Sequence, residues 1–154
     1  GDHYQIGKIK NKNENCKIIS WKEALMDGQY QSFEQAGVKI QAVAAYNKNH
    51  SKDSSVGFVL EFDGIKLYHA GDTSKIEEMK ELADLSLTYA LLPMDNVYNM
   101  GPQEATEAAE LIQAKYYIPI HTGPDGVFSE ENIEQFTPEG KTVVRPKESI
   151  QLGE

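Results

Sequence analysis

Apolar residues recur along the chain with two different periods, and the switches between them mark its elements. Between residues 56 and 70, two β-rich runs flank Asp63 and Gly64. That pair tolerates positive φ at both centres, as a two-residue type I′ turn requires, so the segment predicts a hairpin. The turn sets a register: Phe62 faces Ile65, Leu60 faces Leu67 and Phe58 faces His69 on one side, while Glu61 faces Lys66 and Val59 faces Tyr68 on the other. The first side reads as the apolar, core-covering face and the second as the face with an opposite-charge pair.

Upstream, residues 30–35 and 38–46 read as extended stretches divided by Ala36 and Gly37, residues 16–20 as a short strand, and residues 5–11 as a short helix with Ile6 and Ile9 on one side. Downstream, Ser74 and Glu77 have the spacing of a capping box, opening a helix with the stripe Ile76, Met79, Leu82 and Ala83. Residues 87–94 read as a buried strand. Pro102 begins a second helix in which Ala105, Ala108, Ala109 and Ile112 recur at i, i+3, i+4 and i+7. Residues 116–120 form the next strand, whose end Pro119 places at an edge or where pairing stops. Residues 129–136 make a short helix and residues 142–152 one or two terminal strands. This alternation over 56–136 predicts a layered α/β domain that delivers polar residues at strand ends, where ligands gather in such folds.

With 154 residues and no repeat, low-complexity tract or long linker, the chain 1–154 reads as one domain. Its net charge of -9 repels a phosphate backbone, so nucleic acid is not an expected partner. No run approaches the roughly 18 apolar residues of a membrane span, and the first 30 residues lack the apolar block of a signal peptide, which predicts no membrane and a cytoplasmic location. Cys16, the only cysteine, excludes an intramolecular disulfide and a thiolate zinc cluster, and reads as a small buried hydrophobe. An acidic chain can still hold a local cationic centre as a metal among carboxylates and imidazoles. Asp2, His3, His50, Asp72 and His121 are the candidate ligands, and Asp72 and His121 each directly follow a predicted strand. Such donors suit zinc, iron or manganese.

The stretch 57–73, followed by Leu91-Leu92-Pro93 and Ile118-Pro119-Ile120-His121, resembles the metallo-β-lactamase superfamily, in particular its metal-dependent hydrolase branch with the lactonase-like enzymes. His69-Ala70-Gly71-Asp72-Thr73 resembles the segment whose Asp bridges two metal ions, and His121 matches the last metal histidine. The segment 45–50 is similar to the one that supplies the middle histidine: His50 matches it, and Asn47 stands nearby, where some relatives carry that histidine. Of the motif His-x-His-x-Asp-His, Asp2 and His3 look like the last two members, with the first two histidines absent.

The resemblance implies an αββα sandwich, incomplete on its N-terminal side. It also implies one or two divalent ions, zinc foremost, with iron or manganese as alternatives. Asp2, His3, Asp72 and His121 would serve one ion, while the other would keep only His50 and Asp72 and be impaired. The implied activity is hydrolysis of an ester, lactone, amide or phosphodiester in a small molecule by metal-bound hydroxide, with Asp72 bridging and Asp2 ligating and orienting the nucleophile. The alternative is a non-catalytic, truncated fragment acting as a metal-binding or interaction module. His69 reads as a partly buried, hydrogen-bonded imidazole or as a contact behind the metal cluster, Thr73 as a helix cap that can also bond the Asp72 carboxylate, and Tyr98 as a pocket wall or a surface tyrosine. The expected partner is a second copy or a companion chain carrying the missing half and its histidines, seated on the face of Phe58, Leu60, Phe62, Ile65 and Leu67.

Overall fold

The computed structural model describes residues 15–153. The helix expected over 5–11 and the candidate ligands Asp2 and His3 lie outside the described residues. Residues 16–20 are irregular rather than a strand. They lead to a single helical turn, α1 (Trp21–Ala24), closed by a capping box in which the Ser20 and Glu23 side chains answer each other's backbone. Cys16 is a free thiol and half-buried, not the core residue expected.

Two short strands, β1 (Leu25–Met26) and β2 (Gln29–Tyr30), pair across Asp27 and Gly28. The main sheet holds β3 (Ser32–Gln35), β4 (Val38–Ala44), β5 (Val56–Phe62), β6 (Ile65–His69), β7 (Tyr89–Pro93) and β8 (Tyr116–Ile120), in that spatial order. The β5–β6 register is the one the Asp63-Gly64 turn predicts, with positive φ at both turn residues. β3, β4, β5 and β6 run antiparallel in succession, whereas β6, β7 and β8 are parallel. Consequently β4, β6, β7 and β8 all end at one edge of the sheet. β8 lies at the border of the sheet, where Pro119 needs no ladder partner on its outer side.

Helix α2 (Pro102–Ile112) buries the predicted stripe Ala105, Ala108, Ala109 and Ile112, and α3 (Glu130–Gln135) is capped by Ser129. Both contribute to one layer with the 3-10 helix Glu77–Leu85, and the main core lies between this layer and the sheet. Val59 and Tyr68 point into that core. The more deeply buried side of the hairpin is therefore the one expected to be polar, because the Glu61–Lys66 pair occupies only its outer end. The opposite face carries a smaller cluster centred on Ile65, Tyr89 and Ile118, against which Phe62, Leu67, Val144 and Leu152 pack. Among the described residues this is an α/β arrangement of a helix layer on the six-stranded main sheet, whose second face is only partly covered.

Three local expectations are corrected. Ser74 does not cap a helix: its N–H donates to the Tyr46 carbonyl and that of Lys75 to Glu104, holding the segment extended until Ile76. Thr73 is fully buried and bonds both the N–H and the carbonyl of Tyr46, so it ties two loops together rather than capping. Residues 142–152 form no strand; they are anchored by one parallel bridge between Tyr117 and Lys141 and by the Tyr89 hydroxyl bonded to Gly153. Among the described residues, no helix is long and apolar enough to cross a membrane.

Candidate metal centre

The shared edge of β4, β6, β7 and β8 collects the chemistry. After β4 the chain makes a tight turn, in which Asn47 and His50 exchange both backbone hydrogen bonds and the Asn47 side-chain oxygen accepts from the N–H of Asn49 and of His50. After β6, Gly71 adopts a φ of 68° and lies so close to β5 that an added Cβ would meet the Val56 carbonyl oxygen at 2.9 Å. Only glycine fits there, and it sets Asp72 at the rim. After β8, His121 takes a φ of 47°, a conformation costing about 1–2 kcal/mol for a residue with a Cβ. Such strain is found where a side chain must be aimed.

These side chains line an open cleft of about 680 Å³, with Ile18, Trp21, Phe58 and Ile120 forming apolar wall. His50 Nε2 stands 3.5 Å from Asp72 Oδ2, and His121 lies in the same cleft. Burial opposes ionisation of Asp72, whereas the neighbouring imidazoles of His50 and His121 favour it. His69 faces the cleft as well, but its Nδ1 accepts the Gly71 N–H at 3.1 Å. Burial pushes its pKa down, against the pull of Asp72. Tyr98 is a surface residue: its hydroxyl reaches Asp125 and its carbonyl accepts from Asn49.

Asp95, at the end of β7, is the functional candidate that sequence reasoning missed. It is fully buried, and one oxygen accepts the N–H groups of Val97, Tyr98 and Asn99 while the other takes the Asn99 amide at 2.7 Å. Burial alone would raise its pKa; these donors outweigh burial and hold it below the ordinary carboxylate range. His121 Nδ1 lies 2.9 Å from Asp95 Oδ2, the orientation by which a carboxylate steadies a metal-ligating histidine. The rule that selected Asp72 and His121, a polar residue directly after a buried strand, also selects Asp95.

The donor chemistry suits a divalent ion. The Asn47 side-chain oxygen can only accept, so His50 Nδ1 carries a proton, and Nε2 turns its lone pair toward a carboxylate oxygen. Such a pair is favourable only with a cation or a second proton between its members. The number of ligands falls short: among the described residues, no three His, Cys, Asp or Glu side chains are gathered closely enough to hold an ion by themselves. His50 and Asp72 stand at 3.5 Å, and His121 lines the same cleft.

A family profile described as a beta-lactamase superfamily domain matches residues 1–121. A UPF0173 metal-dependent hydrolase of Thermococcus onnurineus is 34% identical over 133 residues, covering 80% of the chain and 59% of that relative. Another, of Pyrococcus furiosus, is 33% identical over 175 residues, covering 99% of the chain and 77% of the relative. Among solved structures, a metallo hydrolase from Ignicoccus hospitalis superposes with a TM-score of 0.61 at 26% identity, covering 74% of this chain and 52% of that one. A metallo-beta-lactamase fold protein of Bacillus subtilis, 10% identical, gives a TM-score of 0.63 over 77% of this chain and 50% of its own, a likeness of fold alone. The chain therefore spans between half and three-quarters of the length of these proteins.

Proposed function

The chain belongs to the beta-lactamase superfamily and, within it, to the metal-dependent hydrolases, and from that premise we propose that it supplies the Asp72, His50 and His121 side of a hydrolytic centre for a small-molecule ester, lactone, amide or phosphodiester. The observation that carries this is the His50–Asp72 pair at 3.5 Å in a cleft shared with His121. Asp72 contributes charge at the rim, the histidines contribute neutral nitrogen donors, and the apolar wall around Trp21 and Phe58 holds the uncharged part of a substrate and excludes water. A divalent ion bound there, zinc foremost, supplies Lewis acidity toward the scissile group and lowers the pKa of water. The remaining ligands come from beyond the described residues: Asp2 and His3, and histidines of a preceding segment, a companion chain or a second copy.

The shortfall in gathered ligands favours a second reading, in which this polypeptide by itself binds at most one ion and acts as an interaction module. Zinc uptake measured by equilibrium dialysis and elemental analysis, followed by a panel of ester, lactone, amide and phosphodiester substrates, separates the two. Metal-dependent turnover supports the hydrolase. One ion or none, without turnover, supports the module and overturns the hydrolase.

A further inference from the structure

Behind the cleft runs a chain of side-chain hydrogen bonds that joins the two histidines. His50 Nδ1 lies 3.0 Å from the Asn47 oxygen, and the Asn47 amide donates to the Asn99 oxygen at 2.9 Å. The Asn99 amide donates to Asp95 at 2.7 Å, and the same carboxylate oxygen meets His121 Nδ1 at 2.9 Å. The direction of every link is fixed from its ends. Two backbone N–H groups demand that the Asn47 oxygen face His50, which turns its amide to Asn99. Asn99 must then present its oxygen to Asn47, leaving its own amide for a carboxylate that can only accept. Both imidazoles are therefore required to donate from Nδ1.

We propose that Asn99 is a positioning residue that braces Asn47 and Asp95 against each other, and through them fixes the orientation of the His50 and His121 rings, each with Nδ1 protonated and Nε2 left for the cleft. It touches neither ring, and it lies 49 positions from His50 in sequence, 22 from His121, on a loop shaped by the same Asp95 carboxylate. Removing its side chain takes away the acceptor of the Asn47 amide and one donor to Asp95 at once, so both rings loosen together. This rests on the reading of His50 and His121 as ligands, but its test does not require a metal.

The test is the ring-nitrogen NMR spectrum of the 15N-histidine-labelled, metal-free polypeptide at a pH well above the imidazole range. His50 and His121 are expected in the Nδ1–H form, whereas His69, whose Nδ1 accepts from Gly71, shows the Nε2–H form in the same spectrum and serves as the internal standard. Asn99→Ala is expected to shift the ring signals of both His50 and His121, as the rings lose their fixed orientation, without changing those of His69, and Asn47→Ala to shift His50 foremost. In a zinc titration, Asn99→Ala is expected to weaken binding by about 10- to 100-fold. An Nε2–H signal from His50 or His121 in the parent protein overturns the proposal, and that measurement stands even if a variant fails to fold. Folded Asn99→Ala that shifts one ring or neither overturns it as well. Intact tautomers without zinc uptake would instead defeat the hydrolase reading and leave the relay standing.

Discussion

Asp72 and His69 stand three residues apart at the end of the same strand, and both face the cleft, yet their ring and carboxylate atoms are committed differently. Asp72 presents an oxygen to His50, whereas His69 spends Nδ1 on the Gly71 backbone. Asp72→Ala is therefore expected to abolish zinc uptake, while His69→Gln loses no more than about 10- to 100-fold in affinity, the range for a group that only supports a ligand. Equal losses in a dialysis experiment would make His69 a ligand. Tyr68, the next side chain back, offers a stability test. Its hydroxyl is buried with no hydrogen-bond partner among the described residues, and burial drives its pKa upward. A buried unpaired polar group costs about 1–3 kcal/mol, so Tyr68→Phe is expected to raise the thermal midpoint; a fall would reveal a partner for the hydroxyl. At this scale the sequence made Asp72 and His121 legible, because a polar residue after an apolar run is a local signal. Asp95, Asn47 and Asn99 were not legible as a set, since nothing in a linear pattern reports that two amides 52 positions apart meet at 2.9 Å.

Among the elements, the register of the β5–β6 hairpin was readable from its turn though its buried side was not, while α2 with its alanine stripe and the short helix α3 were readable because local pattern and tertiary burial agree. The 3-10 helix Glu77–Leu85 was readable in its apolar stripe but not in its start, because Tyr46 and Glu104 bind the very backbone groups that a Ser74 cap would have organised. The difference is measurable. A capping-box glutamate contributes to a cap worth about 1 kcal/mol, yet Glu77 is exposed and pairs with Lys80. Glu77→Ala should thus leave the denaturation midpoint nearly unchanged, and a loss of that size would restore the capping box. The β6 end is the opposite case. Gly71→Ala puts a Cβ against the Val56 carbonyl in a conformation that disfavours one, so it should both destabilise the fold by about 1–3 kcal/mol and impair zinc uptake by displacing Asp72. Normal uptake with lowered stability would separate the strand end from the site.

For the molecule as a whole, the asymmetry of the sheet is the consequential feature. The helix layer seals one face, whereas on the other, among the described residues, Val144 and Leu152 of the C-terminal segment pack over the cluster of Ile65, Tyr89 and Ile118. Ile65 is buried, and Phe62 and Leu67 are partly covered, but Phe58 and Leu60 on the adjoining strand remain half-exposed, and Phe58 also walls the cleft. A sheet face of this kind is sealed by a further layer in the α/β class, and an open apolar face promotes association. The isolated polypeptide is thus expected to self-associate through this face, with sedimentation velocity showing a concentration-dependent shift above the monomer. Leu60→Lys, which faces Ile40 and Leu67 across the ladder and contributes nothing to the helix-side core, should return it to monomer while preserving the circular dichroism spectrum. A monomer at the highest soluble concentration, with Phe58 and Leu60 protected from solvent in the parent protein, would show that this chain covers the face by itself, and the partner expected from its sequence would then be unnecessary.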